Sequence, residues 1–279
     1  MESSVARSPE EASRGHSTNL VGVPTGLIAS VAYNDYPVPL HLAGVRETNK
    51  GLFLEMLPRA ESPEDACEAF QQWLGTMFGL EPEQKEKSGS FKGRQRFRSS
   101  YLRLIKGWGF DTNSPEGAVL KGWVESRFGL FPTYHKEPVG RVGSGGWLAY
   151  TEEKMSSRFH ANSIYLQLDL LYEFCQWSLA RFFLAGRKHL TLYRGVNSYE
   201  EQVLVERLDQ RTIVVRLNNL ISFSSSRDIA GEFGDHILEA TVPATKILFF
   251  NALLPTAPLK GEHEYMVIGG DYRVKASYF

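Results

Sequence analysis

The chain has 279 residues, 42% of them hydrophobic, and its 31 Lys and Arg nearly cancel 32 Asp and Glu, for a formal net charge of −1. That length and apolar content support a substantial core, as one large domain or two small ones. The balanced charge excludes a global field toward nucleic acid or an anionic membrane and leaves only local patches, such as KEKSGSFKGRQRFR at 85–98.

The first residues, MESSVARSPEEASRGHST, are polar and lack an apolar leader, so residues 1–18 are expected to be a disordered tail. No uninterrupted apolar run is long enough to cross a bilayer, and Cys67 and Cys175 sit far apart in amphipathic segments, as buried reduced thiols would. These features are those of a cytoplasmic protein without membrane insertion. Residues 19–279 are expected to form a single domain, mainly helical over 19–186 and β-rich over 187–279.

Two helices announce themselves by the same start signal. SPEDACEAFQQWLGTMFGL offers Ser62 as N-cap, Pro63 at the first helical position, acidic Glu64 and Asp65, then Ala66, Phe70, Trp73 and Met77 at helical spacing. SPEGAVLKGWVESRFGL repeats the scheme from Ser114, with Val119, Leu120, Trp123, Val124 and Phe128 ahead of Gly129. Shared capping rules explain the likeness without an internal repeat. The Gly-rich GRVGSGGW at 140–147 lacks a phosphate-loop pattern and reads as a flexible surface loop. NSIYLQLDLLYEFCQWSLARFFLAG is apolar over most of its circumference and predicts a buried helix ending at Gly186.

After Gly186 the period changes. HLTLYRGV, RTIVVRL, HILEATV, KILFFNAL and EYMVIGGDYRVKASYF are short β-branched or aromatic runs separated by Gly, Pro, Asn and Asp, as in an antiparallel or mixed sheet. No full-length helices alternate with them, so an α+β architecture is expected rather than a doubly wound one.

Three features in this region bear on chemistry. Arg194 lies inside the apolar TLYRGV, where a cation needs an anionic partner; a salt bridge within the domain and a bound anion both satisfy that need. In NLISFSSSRDIAGEFG, three serines follow an apolar strand; Ser226 suits a helix cap, which leaves Ser224 without an assignment. In PLKGEHEYMV, Glu262 and Glu264 flank His263 at the start of a strand. Extended residues two apart face the same way, about 7 Å from one another, so both carboxylates are expected on one face and His263 packed on the other. The seven histidines show no H-x-H or H-x-x-x-H pairing, and no metal site is expected.

The order Arg194 in LYRG, Ser224 in FSSSRD and Glu264 in GEHEY resembles the R-S-E class of mono-ADP-ribosyltransferases, with Ser225 where that class usually has Thr. The two-glutamate form, Glu262 with Glu264, is similar to the members that modify arginine. NLVGVPTGLIAS, the Trp-rich helical half and the strand region further resemble the dinitrogenase reductase ADP-ribosyltransferases of nitrogen-fixing bacteria. The resemblance implies an ADP-ribosyltransferase fold, a helical N-terminal part packed on a split two-sheet β core that binds NAD. It implies NAD as co-substrate, the nitrogenase iron protein as acceptor and a PII-family protein as regulator.

By the same resemblance, Glu264 holds the ribose and stabilises an oxocarbenium-like cation. Ser224 supports Glu264, Arg194 pairs with the phosphates, and the backbone of Gly195 meets the nicotinamide amide. Phe233 stacks on nicotinamide, with Phe223 or a core role for Phe233 as alternatives. Glu262 orients and deprotonates the incoming arginine, and the loop NALLPTAPLKG at 251–261 touches the target protein or merely connects. Competing with transfer are an NAD glycohydrolase and a non-catalytic module binding NAD or a PII-type protein.

Overall fold

A computed structural model describes residues 15–16, 18–80, 100–156, 161–197, 203–254 and 263–278. Most of the expected tail, the basic 85–98 stretch, the 255–261 part of the loop and Glu262 lie outside the described residues. Within the expected tail, Gly15 bridges to Leu130 and the His16 amide donates to the Gly129 carbonyl at 2.8 Å.

The N-terminal part begins with three short helices, α1 (Thr25–Ile28), α2 (Val31–Asp35) and α3 (Val45–Thr48), followed by a π-helical turn over Gly51–Met56. Helix α4 (Pro63–Phe78) starts as the sequence predicts: Ser62 Oγ accepts from the Asp65 amide while the Asp65 carboxylate accepts from the Ser62 amide, a capping box. Helix α5 (Tyr101–Phe110) is followed by α6 (Pro115–Phe128), capped by Ser114 on the Gly117 amide and closed by left-handed Gly129. Two short strands, β1 (Tyr134–His135) and β2 (Glu137–Pro138), form a small ladder.

The Gly-rich 140–147 stretch is not simply a loop: it turns into α7 (Gly145–Ser156). Ser144 Oγ donates to the Val139 carbonyl and accepts from the Trp147 amide, holding the start of the helix. A Cβ on Gly146 would come within 2.3 Å of the Pro138 carbonyl oxygen, so glycine is required there by close packing rather than by flexibility.

Helix α8 (Asn162–Ser178) is the axis of the helical part, and it ends in a π-helical turn over Leu179–Phe183. Its buried polar side chains act as pegs. Asp169 accepts from the Trp123 indole at 2.7 Å and from Arg127 at 2.7 and 2.8 Å. Gln167 accepts from the Tyr101 amide, and Gln176 donates to the carbonyls of Ala244 and Ile247 in the β region. These desolvated side chains are offset by their partners, so a helix buried nearly all round is tolerated.

The C-terminal part is one antiparallel six-stranded sheet: β3 (His189–Val196), β4 (Val203–Arg207), β5 (Thr212–Ser224), β6 (His236–Pro243), β7 (Ile247–Phe250) and β8 (Glu264–Tyr278), in the order β4-β5-β3-β6-β8-β7 with β5 also paired to β8. Helix α9 (Arg227–Gly231) lies between β5 and β6, capped by Ser226 as its sequence suggests. The mixed helix and sheet composition agrees with the expected α+β class. Long β8 changes neighbours along its length: residues 265–267 pair with β7 and residues 274–278 with β6, while β5 runs beside residues 264–275.

The change happens at a register shift between Leu217 and Leu220 of β5. There a Cβ on Gly269 would come within 1.7 Å of the Asn218 carbonyl oxygen, and Gly270 has φ +117°. Asn219, buried at this bulge, donates to the carbonyls of Lys121 and Leu130, fastening sheet to helices. One hydrophobic cluster runs through both parts, from Phe70, Trp123 and Phe174 to Leu238, Phe249 and Val267.

Candidate active site

Cross-strand register brings the three key residues together. Tyr193 of β3 stands opposite Ser224 at the end of β5, and Ser224 stands opposite Glu264, the first residue of β8. Arg194 follows Tyr193, and its Nη1 donates to the Ser222 carbonyl at 3.0 Å. Residues separated by 30 and 40 positions thus meet at one end of the sheet, which strand alternation alone does not reveal.

Glu264 is buried, 6% exposed, as is Ser224 at 7%. The hydrogen bond that orients Glu264 comes from a residue the sequence reading did not select: Ser222 Oγ donates to Glu264 Oε1. Ser222 in turn accepts from the buried indole of Trp108 on α5, at 2.8 Å. Ser222 shares a strand face with Ser224, so period two was the signal for it; Trp108 has no such local signal. Ser224 Oγ accepts from the Ser226 amide at 3.0 Å, and the Ser225 amide donates to the His263 carbonyl at 3.1 Å, which closes the serine segment onto the start of β8.

Behind Trp108 stands a second polar cluster. Lys121 Nζ lies 6.0 Å from the Trp108 ring centroid and donates to Asn113 Oδ1 and the Tyr134 carbonyl, each at 3.0 Å. Burial pushes its amine down to about 7. Its neighbour His135, 3.3 Å away, is held low by burial and by the Lys121 charge, although it is hydrogen-bonded to Glu153 at 2.7 Å.

The start of β8 corrects one expectation. His263 is exposed, with φ +48°, and the strand begins only at Glu264. The left-handed residue breaks the extended run, so alternation does not set Glu262 and Glu264 on one face, and His263 does not pack. Glu262 itself lies outside the described residues.

The glycine after Arg194 also has a packing reason. A Cβ on Gly195 would come within 1.9 Å of the Ala230 carbonyl oxygen and 3.0 Å of the Gly234 amide, so α9 lies directly on β3 here. That contact fixes the position of Phe233, just past α9, which is 57% exposed. Phe223 is 3% exposed and packs 6.4 Å from Tyr272, which places it in the core. Among the described residues no cluster of three or more metal-ligating side chains occurs, and no helix is long and apolar enough to cross a membrane.

The arrangement offers a buried carboxylate of fixed orientation, a guanidinium beside it and an exposed aromatic on the neighbouring helix end. It is suited to stabilising a developing cation on a phosphorylated sugar.

Comparison with known proteins adds to this geometry. Residues 18–276 match the family described as dinitrogenase reductase ADP-ribosyltransferase. A protein of Rhodospirillum rubrum named "NAD(+)--dinitrogen-reductase ADP-D-ribosyltransferase" is 61% identical over 265 residues, 95% of this chain and 96% of that protein. No solved structure gives a significant match.

Proposed function

The chain belongs to the dinitrogenase reductase ADP-ribosyltransferase family, and on that premise we propose that it is an enzyme transferring ADP-ribose from NAD to a specific arginine of the nitrogenase iron protein, reversibly switching nitrogen fixation off in the cytoplasm. The observation that carries the reading is the convergence of Arg194, Ser224 and Glu264, in the R-S-E order, on one end of the sheet through the Tyr193–Ser224 and Ser224–Glu264 registers.

Breaking the bond between nicotinamide and ribose leaves positive charge on the sugar. Glu264, held by Ser222, faces that charge from a buried site that limits screening by water. Arg194 grips the pyrophosphate, and its bond to the Ser222 carbonyl aligns the guanidinium for that contact. Ser224 supports the ribose beside Glu264. Phe233 covers the nicotinamide ring and the Gly195 backbone meets its amide, both positioned by the packing of α9 on β3. We read the register shift at Leu217–Leu220 of β5 as the boundary between the two halves of the split NAD-binding core that the family resemblance implies.

Glu262 acts on the incoming arginine. A guanidinium is protonated and a poor nucleophile; paired hydrogen bonds that it donates to a carboxylate orient it, and the same carboxylate accepts its proton as the new N-glycosidic bond forms and nicotinamide leaves. No contact with the PII-type regulator is assigned to a described residue.

The test is incubation with labelled NAD, purified iron protein and an unrelated arginine-rich protein, followed by mass spectrometry. ADP-ribose on one arginine of the iron protein is expected. NAD hydrolysed with neither protein labelled would replace transfer by glycohydrolysis, and NAD left intact would remove the enzyme reading.

A further inference from the structure

A cavity of about 640 Å³ opens beside the start of β3 and contains none of the residues of the site above. Lys188 lines it, and Arg194 is six residues further along, roughly 20 Å in extended chain. Its walls come from the segment before α3, the end of α8, the entry to β3 and the turn after β6.

Three features mark it as built for a ligand. Among the described residues its lining carries Arg46, Arg181, Arg187 and Lys188 and no carboxylate. Glu173, beneath it, accepts from the Leu42 amide at 2.7 Å and pairs with Arg46 and His41, offsetting one charge; Arg187 donates to the carbonyls of Leu184 and Phe183, and among the described residues Arg181, Arg187 and Lys188 have no carboxylate partner. The floor is apolar, and Trp177, half-buried and braced edge-on by Phe182 at 5.6 Å, lines one wall. The backbone here is irregular. Arg181 sits in the π-helical turn, and Ala185, a non-glycine residue at φ +46°, precedes Gly186 at φ +83°. Such turns and left-handed residues disturb the regular helix, and they concentrate at functional sites. Here they deliver Arg187 and Lys188 to the cavity side by side.

We infer that this cavity is a second ligand site, separate from the NAD site, for a small molecule of the nucleoside diphosphate class. Guanidinium forks suit phosphate oxygens, and an indole wall above an apolar floor suits a planar ring. The volume falls in the range of small-molecule pockets, whereas a docked protein surface needs a broader, flatter area.

The experiment uses the full chain and adenosine diphosphate without metal, titrated by calorimetry and by Trp fluorescence. It compares wild type, the double variant Arg181→Glu with Arg187→Glu, the milder pair Arg181→Gln with Lys188→Gln, and Arg194→Ala. At the cavity, Arg194→Ala is expected to bind adenosine diphosphate as wild type does, while any binding of it at the NAD site weakens with the loss of Arg194; cavity binding is expected to weaken about tenfold for each cavity guanidinium removed, with an unchanged KM for NAD in both cavity variants. Circular dichroism melts show that the variants fold, and the milder pair carries the comparison if the double variant does not. Absence of binding to wild type, or loss only in Arg194→Ala, would overturn the inference. Loss of NAD binding in the cavity variants would instead make this cavity the NAD site and overturn the reading of Arg194 as well. Adenosine and pyrophosphate, added separately, are each expected to bind more weakly than adenosine diphosphate, and equal binding by pyrophosphate would overturn the role of the indole wall. An acidic peptide binding in place of all three would reassign the cavity to a protein partner.

Discussion

Ser222→Ala removes the hydroxyl that joins Trp108 to Glu264. It deletes a hydrogen bond donated to a carboxylate, of the kind that contributes about 1.5–3 kcal/mol. It also strands the indole N–H of a Trp that is 1% exposed. If the bond serves to hold Glu264 against the developing cation, its loss appears in the transition state and lowers kcat by about 10- to 150-fold. KM for NAD changes little, because Arg194 and Phe233 are untouched. Trp108→Phe keeps the Ser222–Glu264 bond and removes only its support, so its expected effect is smaller, under about tenfold. The assay is nicotinamide release at varied NAD, with melting curves to show native folding. A natively folded Ser222→Ala protein with kcat within twofold of wild type would refute the positioning role, and a rise in KM alone would move Ser222 to substrate binding.

Glu262→Ala is expected to lose arginine modification far more than NAD hydrolysis; equal loss of both, measured on the same preparations, contradicts the division of labour between the glutamates. Arg194→Ala should weaken NAD binding in calorimetry by about tenfold or more, and unchanged affinity would reduce Arg194 to a structural contact with Ser222. Lys246 is fully buried between the rings of Tyr33 and Tyr272, at 5.3 and 4.9 Å, and burial pushes its amine down to about 7. Between that value and the ordinary 10.5 the unfolded chain holds a proton that the folded chain lacks, so stability rises with pH across this window and the burial penalty is full below it. Lys246→Met should therefore stabilise at pH 6.5 by about 1–3 kcal/mol, after the lost cation–π contacts are subtracted, and by less at pH 9.5. Melts showing equal destabilisation at both pH values would mean that the amine is charged and fully satisfied.

The readily legible elements were those with local physical signatures. Ser62-Pro63 and Ser114-Pro115 marked helix starts because capping uses side chains within three residues. The short helices α1, α2 and α3 have four or five residues each and show no periodicity. Helix α5 escaped because its N-cap, Ser100, makes no side-chain cap bond. Strand β4 is exposed at every residue and lacks the alternation of a half-buried strand. In β5, Asn218 and Asn219 fall between the run RTIVVRL and the next apolar stretch, yet the strand continues through them as a bulge whose side chains bind the helical part.

The site was partly legible for the same reason. The R-S-E order pointed to residues that the β3–β5 and β5–β8 registers bring together, whereas Trp108 reaches Ser222 only through tertiary packing of α5 against the sheet. The shared face assigned to Glu262 and Glu264 assumed an extended chain through His263, and a single left-handed residue cancels that assumption.

The most direct measurement is nicotinamide release and ADP-ribosyl transfer to the iron protein by Glu264→Gln, a nearly isosteric change that removes only the charge. Loss of both activities in a folded protein that still binds NAD is predicted. Substantial residual hydrolysis would contradict the claim that Glu264 stabilises the sugar cation.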